Sequence, residues 1–287
     1  MADSDEDAVA SLSDSFRRHL NTHGYGFQYA VLKHIRNMPR TRWEVEAVEL
    51  PVSFRGRATH IDFVLRNCWA EPLLRVAAEC KRANPALVDW GFVRTPDMSD
   101  AAVLTLEVVR FQSGGLKTAG LESHNFWHSD RVYNLGFPIK GCEKGDSAGS
   151  SRTALDDAIA QVLRGANGLM EYLAGNPKLL RGHGPDDRSG RVLPVVFTTA
   201  RLWASDIELS ESDLASGNVP EGSLKKLEWL WLKQNISTDL RHSLSPASRP
   251  DVPDPSLEDY IRRDYVRVIA IVSMAGIDSF LEDIRAR

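Results

Sequence analysis

The chain has 287 residues, 43% of them hydrophobic and 26% charged, an ordinary composition for a globular fold that buries its own core. Its 39 acidic and 35 basic residues give a net charge of -4, which excludes a uniformly basic nucleic-acid coat but leaves room for an enzyme with a local basic patch. Three cysteines (Cys68, Cys80, Cys142) are too few and too scattered for a disulfide framework. The start is acidic and lacks the apolar core of a signal peptide, and the most apolar run, Val266 to Ala275, is only strand-sized. The expectation is a soluble, cytoplasmic protein.

Val9, Leu12, Phe16 and Leu20 recur at helical spacing, with Gly24 as a stop. A second helix is predicted over Gly26–Met38, with Phe27, Val31 and Ile35 on one stripe and Pro39 beyond its end. Three strands follow, Trp43–Phe54, Thr59–Asn67 and Leu73–Arg82, the first two joined as a hairpin through Arg55-Gly56-Arg57. From 84 to 151 the pattern weakens. Val103–Phe111 is strand-like, and the Gly- and Ser-rich stretch beyond it reads as a loop-rich insertion carrying specificity or contacts. In the clearest helix, Leu155, Ile159, Val162, Leu163, Ala166, Leu169, Met170 and Leu173 fall at spacings of three and four, with Thr153 and Asp156 as a partial capping signal. Strands are predicted at Val192–Trp203 and Leu224–Gln234. A second insertion spans about 204–258 and includes a proline-rich linker at 242–256, before a closing strand, Asp264–Ala275, and helix, Ile277–Arg287. The whole reads as one α/β domain over 1–287.

Charged residues interrupt the second and third strands. Asp62 stands in His60-Ile61-Asp62-Phe63, and Glu79-Cys80-Lys81 begins 17 residues later. Glu79 and Lys81 are two apart, so both leave the same face of a strand, and pairing of neighbouring strands brings Asp62 beside them. Two converging carboxylates stay ionised cheaply only around a cation, and hard oxygen ligands suit Mg2+. A lysine beside such a site orients water or offsets charge on a phosphate, which is what phosphodiester hydrolysis needs. The neighbours Ile61, Phe63, Val64, Val76 and Ala78 are apolar, and charges in otherwise buried strands have a reason. On the long helix, at 100° per residue, Gln161, Gly165, Gly168 and Tyr172 share a face away from the apolar stripe. The two glycines cost helix stability, so a close approach by backbone or ligand is expected there.

Asp62 with Glu79-x-Lys81, on the second and third strands of a meander that follows an N-terminal helix, resembles the PD-(D/E)xK nuclease superfamily. The resemblance covers roughly residues 24–203 in the order of elements, and more loosely the terminal strand and helix. It implies an α/β fold with a restriction-endonuclease-like mixed β-sheet flanked by helices, and a Mg2+-dependent endonuclease or exonuclease in which Mn2+ substitutes. It implies a nucleic-acid substrate, DNA in the first place, with RNA as the alternative. Under it Asp62 and Glu79 hold the metal, the Cys80 carbonyl is a third protein ligand, and Lys81 positions the attacking water. Ile61 stands where the usual proline precedes the aspartate. Gln28 occupies the place of a further acid on the first helix, and Glu44, Glu46 or Glu49 of the first strand is open as its substitute. Members of the RecB-type branch carry Gln-x-x-x-Tyr on the next helix. Gln161 matches, with Gly165 in the tyrosine's place, and is expected to steady the substrate or Lys81. A role in restriction or phage defence, and targeting by the 84–151 segment, a homo-oligomer or a partner protein, go with the resemblance.

A rival of another class is a non-catalytic nuclease-like subunit, structural or nucleic-acid-binding, which would have no need of buried Asp62, Glu79 and Lys81. Lys33, His34, Arg36, Arg40 and Arg42, with Arg55, Arg57, Lys81 and Arg82, make a candidate positive rim. His60 shares a strand face with Asp62, as a structural or a catalytic histidine. Ser147 sits in a Gly-x-Ser-x-Gly match without the strand a nucleophile elbow requires, and His124, His128 and Cys142 lack a fourth ligand and finger spacing.

Overall fold

A computed structural model describes residues 13, 15–16, 24–39, 41–67, 70, 73–83, 88–94, 104–112, 117–124, 131–139, 151–184, 187–235, 238–240 and 266–284. Helix α1 (Tyr25–Asn37) buries Val31, Leu32 and Ile35 along one stripe, with Gln28 buried a turn earlier. Pro39 disfavours helix at Met38, which is extended (ψ 123°) and ends α1. Strands β1 (Trp43–Phe54), β2 (Arg57–Asn67) and β3 (Leu73–Lys81) form an antiparallel meander. The β1–β2 turn at Arg55–Gly56 has both φ positive (51° and 74°), the primed hairpin geometry that matches strand twist.

The predicted loop-rich insertion over 84–151 is corrected. It holds five strands, β4 (Asp89–Arg94), β5 (Leu104–Gln112), β6 (Lys117–His124), β7 (Val132–Tyr133) and β8 (Leu135–Ile139). After the long helix α2 (Ser151–Gly175) come β9 (Arg181–Gly184), β10 (Asp187–Thr198), β11 (Arg201–Glu208), the short helix α3 (Glu211–Ser216), β12 (Leu224–Leu227), β13 (Trp229–Asn235), β14 (Val266–Ser273) and α4 (Ile277–Asp283). The second insertion, 204–258, is thus also partly regular structure. Two predicted strands are each two: Val192–Trp203 breaks at Thr199–Ala200, and Leu224–Gln234 breaks at Glu228. Both breaks carry the chain between sheets. The proline-rich stretch, Arg40, His128, Cys142, Ser147 and most of the predicted first helix lie outside the described residues. Thr153 is not the start of α2, which begins at Ser151.

The larger sheet has ten strands, in the order β1-β2-β3-β10-β14-β13-β7, with β5 and β9 branching from β10 and β6 paired to β5. Its centre is parallel: β3 and β14 both run with β10. Central strands of this kind are covered on both faces, and β3 and β14 are buried along almost their whole length. On one face α1 and α4 pack with Phe63, Leu65, Val76, Phe197 and Trp231. On the other lies α2, whose Leu155, Ile159, Val162 and Leu163 also meet Trp90, Phe92 and Leu202 of a four-stranded sheet, order β12-β11-β4-β8. The protein is therefore a mixed α/β fold with a multi-strand mixed sheet flanked by helices. Among the described residues no helix is long and apolar enough to cross a membrane.

Candidate active site

The register of the meander brings the predicted carboxylates together. Phe63 lies opposite Ala78 and Val64 opposite Ala77, so Asp62 and Glu79 form the next pair, at the point where the regular ladder stops. There the Cys80 N–H donates to Asp62 Oδ2 (2.6 Å) instead of to a backbone carbonyl. On the other flank, Val48 pairs with Phe63 and Leu50 with Ile61, which sets Glu49 opposite Asp62. Glu49, Asp62 and Glu79 thus make a row across three adjacent strands, where directly opposed side chains stand about 5 Å apart at Cβ.

The three first-strand glutamates left open by the sequence have different partners. Glu44 takes Arg66 (2.7 Å), and Glu46 takes Arg75 through two hydrogen bonds of 2.7 and 2.9 Å. Glu49 is bound to no cation among the described residues and stands in the row. Its backbone is left-handed (φ 50°), a conformation costly for a residue with a Cβ, and such strain gathers at functional sites. Gln28 fixes it: Nε2 donates to Glu49 Oε1 (2.6 Å) and to the Asp62 carbonyl oxygen (2.9 Å). Gln28 therefore acts through its amide donor, a role the sequence did not reveal. Gly24 brings the start of α1 here. Its φ of 73° suits glycine, and a Cβ on it would lie 3.9 Å from the Cys80 carbonyl oxygen.

Lys81 and Gln161 meet, the Lys81 Nζ donating to Gln161 Oε1 (3.1 Å). The α2 face carrying Gln161 is pressed on the meander: a Cβ on Gly168 would come 2.7 Å from Val52 Cγ2, and one on Gly165 3.0 Å from Ile61 Cγ1. The close approach expected of these glycines is made by β1 and β2. His60 is exposed at the start of β2, and Tyr172 is exposed as well. Of the candidate rim, His34 is spoken for by Asp278 (2.5 Å).

Burial dominates the electrostatics. It pushes the Asp62 carboxyl up to about 6; the Cys80 N–H opposes it, Glu49 adds to it, and Lys81 lowers it. Glu79 is pushed up to about 8, by burial first and by the Asp62 charge second, with Lys81 again opposing. The Cys80 thiol is raised by burial and by the same carboxylates. Among the described residues no group of three His, Cys, Asp or Glu side chains is gathered ready to hold a metal ion. The carboxylates stand side by side, near enough to raise one another's pKa without converging on one point. The fit to a hard cation rests on the Asp62–Glu79 pair, whose two charges, once both are ionised, one lysine does not cancel, with the Cys80 carbonyl between Glu79 and Lys81 in sequence.

Compared with known proteins, the chain significantly matches no family model, no curated protein and no solved structure.

Proposed function

We propose that the protein is a Mg2+-dependent nuclease with a restriction-endonuclease-like core, hydrolysing phosphodiester bonds of nucleic acid, DNA in the first place. The observation that carries this reading is the pair of carboxylates, half-buried Asp62 and buried Glu79, set on adjacent strands beside a lysine held by Gln161. Asp62, Glu79 and the Cys80 carbonyl would hold Mg2+, with Glu49 the nearest further acid. When bound, the cation offsets the charge that builds on the phosphate and makes water a better nucleophile.

The chain's own residues do the rest. Lys81 has three N–H donors; one is given to Gln161, which leaves two for the attacking water and a phosphate oxygen. Holding the water in line with the phosphorus is the positioning contribution. Gln161 fixes the direction of Lys81. Glu79 keeps its proton to about pH 8 without a cation, so occupation of the site releases a proton and is favoured as pH rises. Restriction or phage defence is the biological setting that agrees with the motif. The test is cleavage of plasmid, single-stranded DNA and RNA with Mg2+, Mn2+ or EDTA. Metal-dependent cleavage by the wild type that disappears in Glu79→Gln is expected; full activity in that variant overturns the reading.

A further inference from the structure

Helix α1 has a second face. At 100° per residue, Tyr25, Tyr29, Lys33 and Arg36 fall within about 80° of one another. All four are exposed, the tyrosines at 58% and 64%. The helix contains no acidic residue, and His34, its other basic side chain, points elsewhere, to Asp278. Two large aromatic rings one turn apart, followed by two cations, are an unusual load for a solvated stripe. Exposed tyrosines present π-faces to stack on, and arginine and lysine answer phosphate charge.

The stripe begins at the candidate site. Gly24, the residue before Tyr25, lies against the Cys80 carbonyl, and Gln28, between the two tyrosines, holds Glu49 and Asp62. From there it runs outward for about 16 Å, eleven residues at 1.5 Å each. The row of carboxylates repels a phosphate chain, whereas Lys33 and Arg36 at the far end attract one. We propose that this stripe is a track for an unpaired nucleic-acid strand, with bases stacked on Tyr25 and Tyr29 and phosphates on Lys33 and Arg36, leading to the Asp62–Glu79 site. The proposal rests on the nuclease reading for its direction, and it adds a substrate class. Bases in a duplex are stacked on one another and leave the rings without an occupant; an unpaired strand fills them.

The test is equilibrium binding in EDTA by the full chain, read by fluorescence anisotropy with a labelled single-stranded DNA, the RNA of the same sequence and the matching DNA duplex. Tyr25→Ala/Tyr29→Ala should lose tenfold or more of its single-strand affinity, with duplex affinity unchanged. Tyr25→Phe/Tyr29→Phe, which keeps the rings, should retain it. Lys33→Ala/Arg36→Ala should flatten the salt dependence by about 1.4 in log K against log salt, two phosphates at about 0.7 each. Loss on both DNA and RNA supports stacking on the base alone, and loss on one of them also supports the track and names the sugar. Unchanged single-strand affinity in the alanine variant overturns it, and so does an equal loss on duplex. Binding of the stripe to anionic vesicles in place of oligonucleotides would overturn it too and assign the surface to lipid. Because binding is read without metal, its failure is separate from that of the nuclease reading, which fails instead when Glu79→Gln cleaves normally.

Discussion

Two rows of charge cross the same face of β1, β2 and β3, four residues apart along β2 and β3, and the fold treats them in opposite ways. In one, Glu44, Arg66 and Arg75 lie opposite one another, and the irregularity between Val45 and Ala47 lets Glu46 join them. Two carboxylates meet two guanidiniums, and Arg75, 2% exposed, also gives Nη2 to the Leu179 carbonyl. In the other, the one cation acting on Asp62 and Glu79 among the described residues is Lys81, and Glu49 is bound to none. In the first row the charges cancel around buried Arg75. In the second, buried Glu79 and half-buried Asp62 lack a full set of countercharges, and their pKa values rise instead. A charge cluster that serves the fold completes itself from the chain, whereas one left short of positive charge is what the proposed cation would complete.

The largest expected difference between the rows is catalytic. Asp62→Asn, Glu79→Gln and Lys81→Ala should each reduce cleavage by about a thousandfold, measured as initial rate on labelled DNA. The triple variant should be no worse than the singles, because residues acting as one unit are not additive. Arg75→Ala, in the cancelled row, should instead cost about 3 kcal/mol of folding stability by removing the buried guanidinium that gives Glu46 two hydrogen bonds and leaving it the longer Arg66 contact (3.7 Å), with the rate per folded molecule unchanged. Glu46→Leu combined with Arg75→Leu should recover most of that loss in a urea melt. A cleavage defect in Arg75→Ala equal to that of Asp62→Asn would erase the distinction between the rows.

A smaller effect concerns pH. Asp62 and Glu79 have folded-state pKa values raised from 3.8 and 4.5 to about 6 and about 8, so the folded protein holds more protons than the unfolded chain between these limits. Stability from these groups is therefore greatest below about pH 4 and falls as pH rises to about 8. In EDTA, Asp62→Asn should remove part of that fall and melt at or above wild type at pH 8. A wild-type melting curve as flat with pH as the variant's would mean that the row carries no strain.

The smallest effect is the response to metal. With Mg2+ at ten times Kd the folded protein should gain about 1.4 kcal/mol, roughly 2–4 °C in melting temperature. Asp62→Asn should gain almost nothing. Equal shifts in both proteins would take the cation away from Asp62.

How much of this was legible in the sequence depends on where the information lies. The meander, α2 and the closing β14–α4 pair are readable because hydrophobic period and turn residues specify them locally. Of the strands between β3 and α2, β5 is anticipated by the strand-like run Val103–Phe111; β4 and β6 to β8 were not legible, because they are completed by partners far along the chain, as Trp90 and Phe92 of β4 are by α2 and β11. The breaks at Thr199–Ala200 and Glu228 were invisible because apolar residues continue on both sides while the chain changes sheet. At the site, Asp62, Glu79 and Lys81 could be singled out by charge within apolar strands. Glu49 could not be separated from Glu44 and Glu46, since what separates them is cross-strand: Arg66 and Arg75 bind the two glutamates near the start of β1, and a left-handed backbone marks Glu49 in its middle. The arginines were the available signal, two cations in register with two of the three glutamates.

Cys80 gives the site a clock. Its side chain points into the core from the middle of the Glu79-Cys80-Lys81 run, 8% exposed, and its thiol is held protonated by burial and by three nearby carboxylates. Alkylating reagents need a thiolate and a path to it, and the closed protein offers neither. Labelling at this position must wait for β3 to part from its neighbours. The rate of Cys80 alkylation therefore counts openings at the centre of the sheet, with no substrate present. A cation shared by Asp62 and Glu79 would tie β2 to β3 and slow the count.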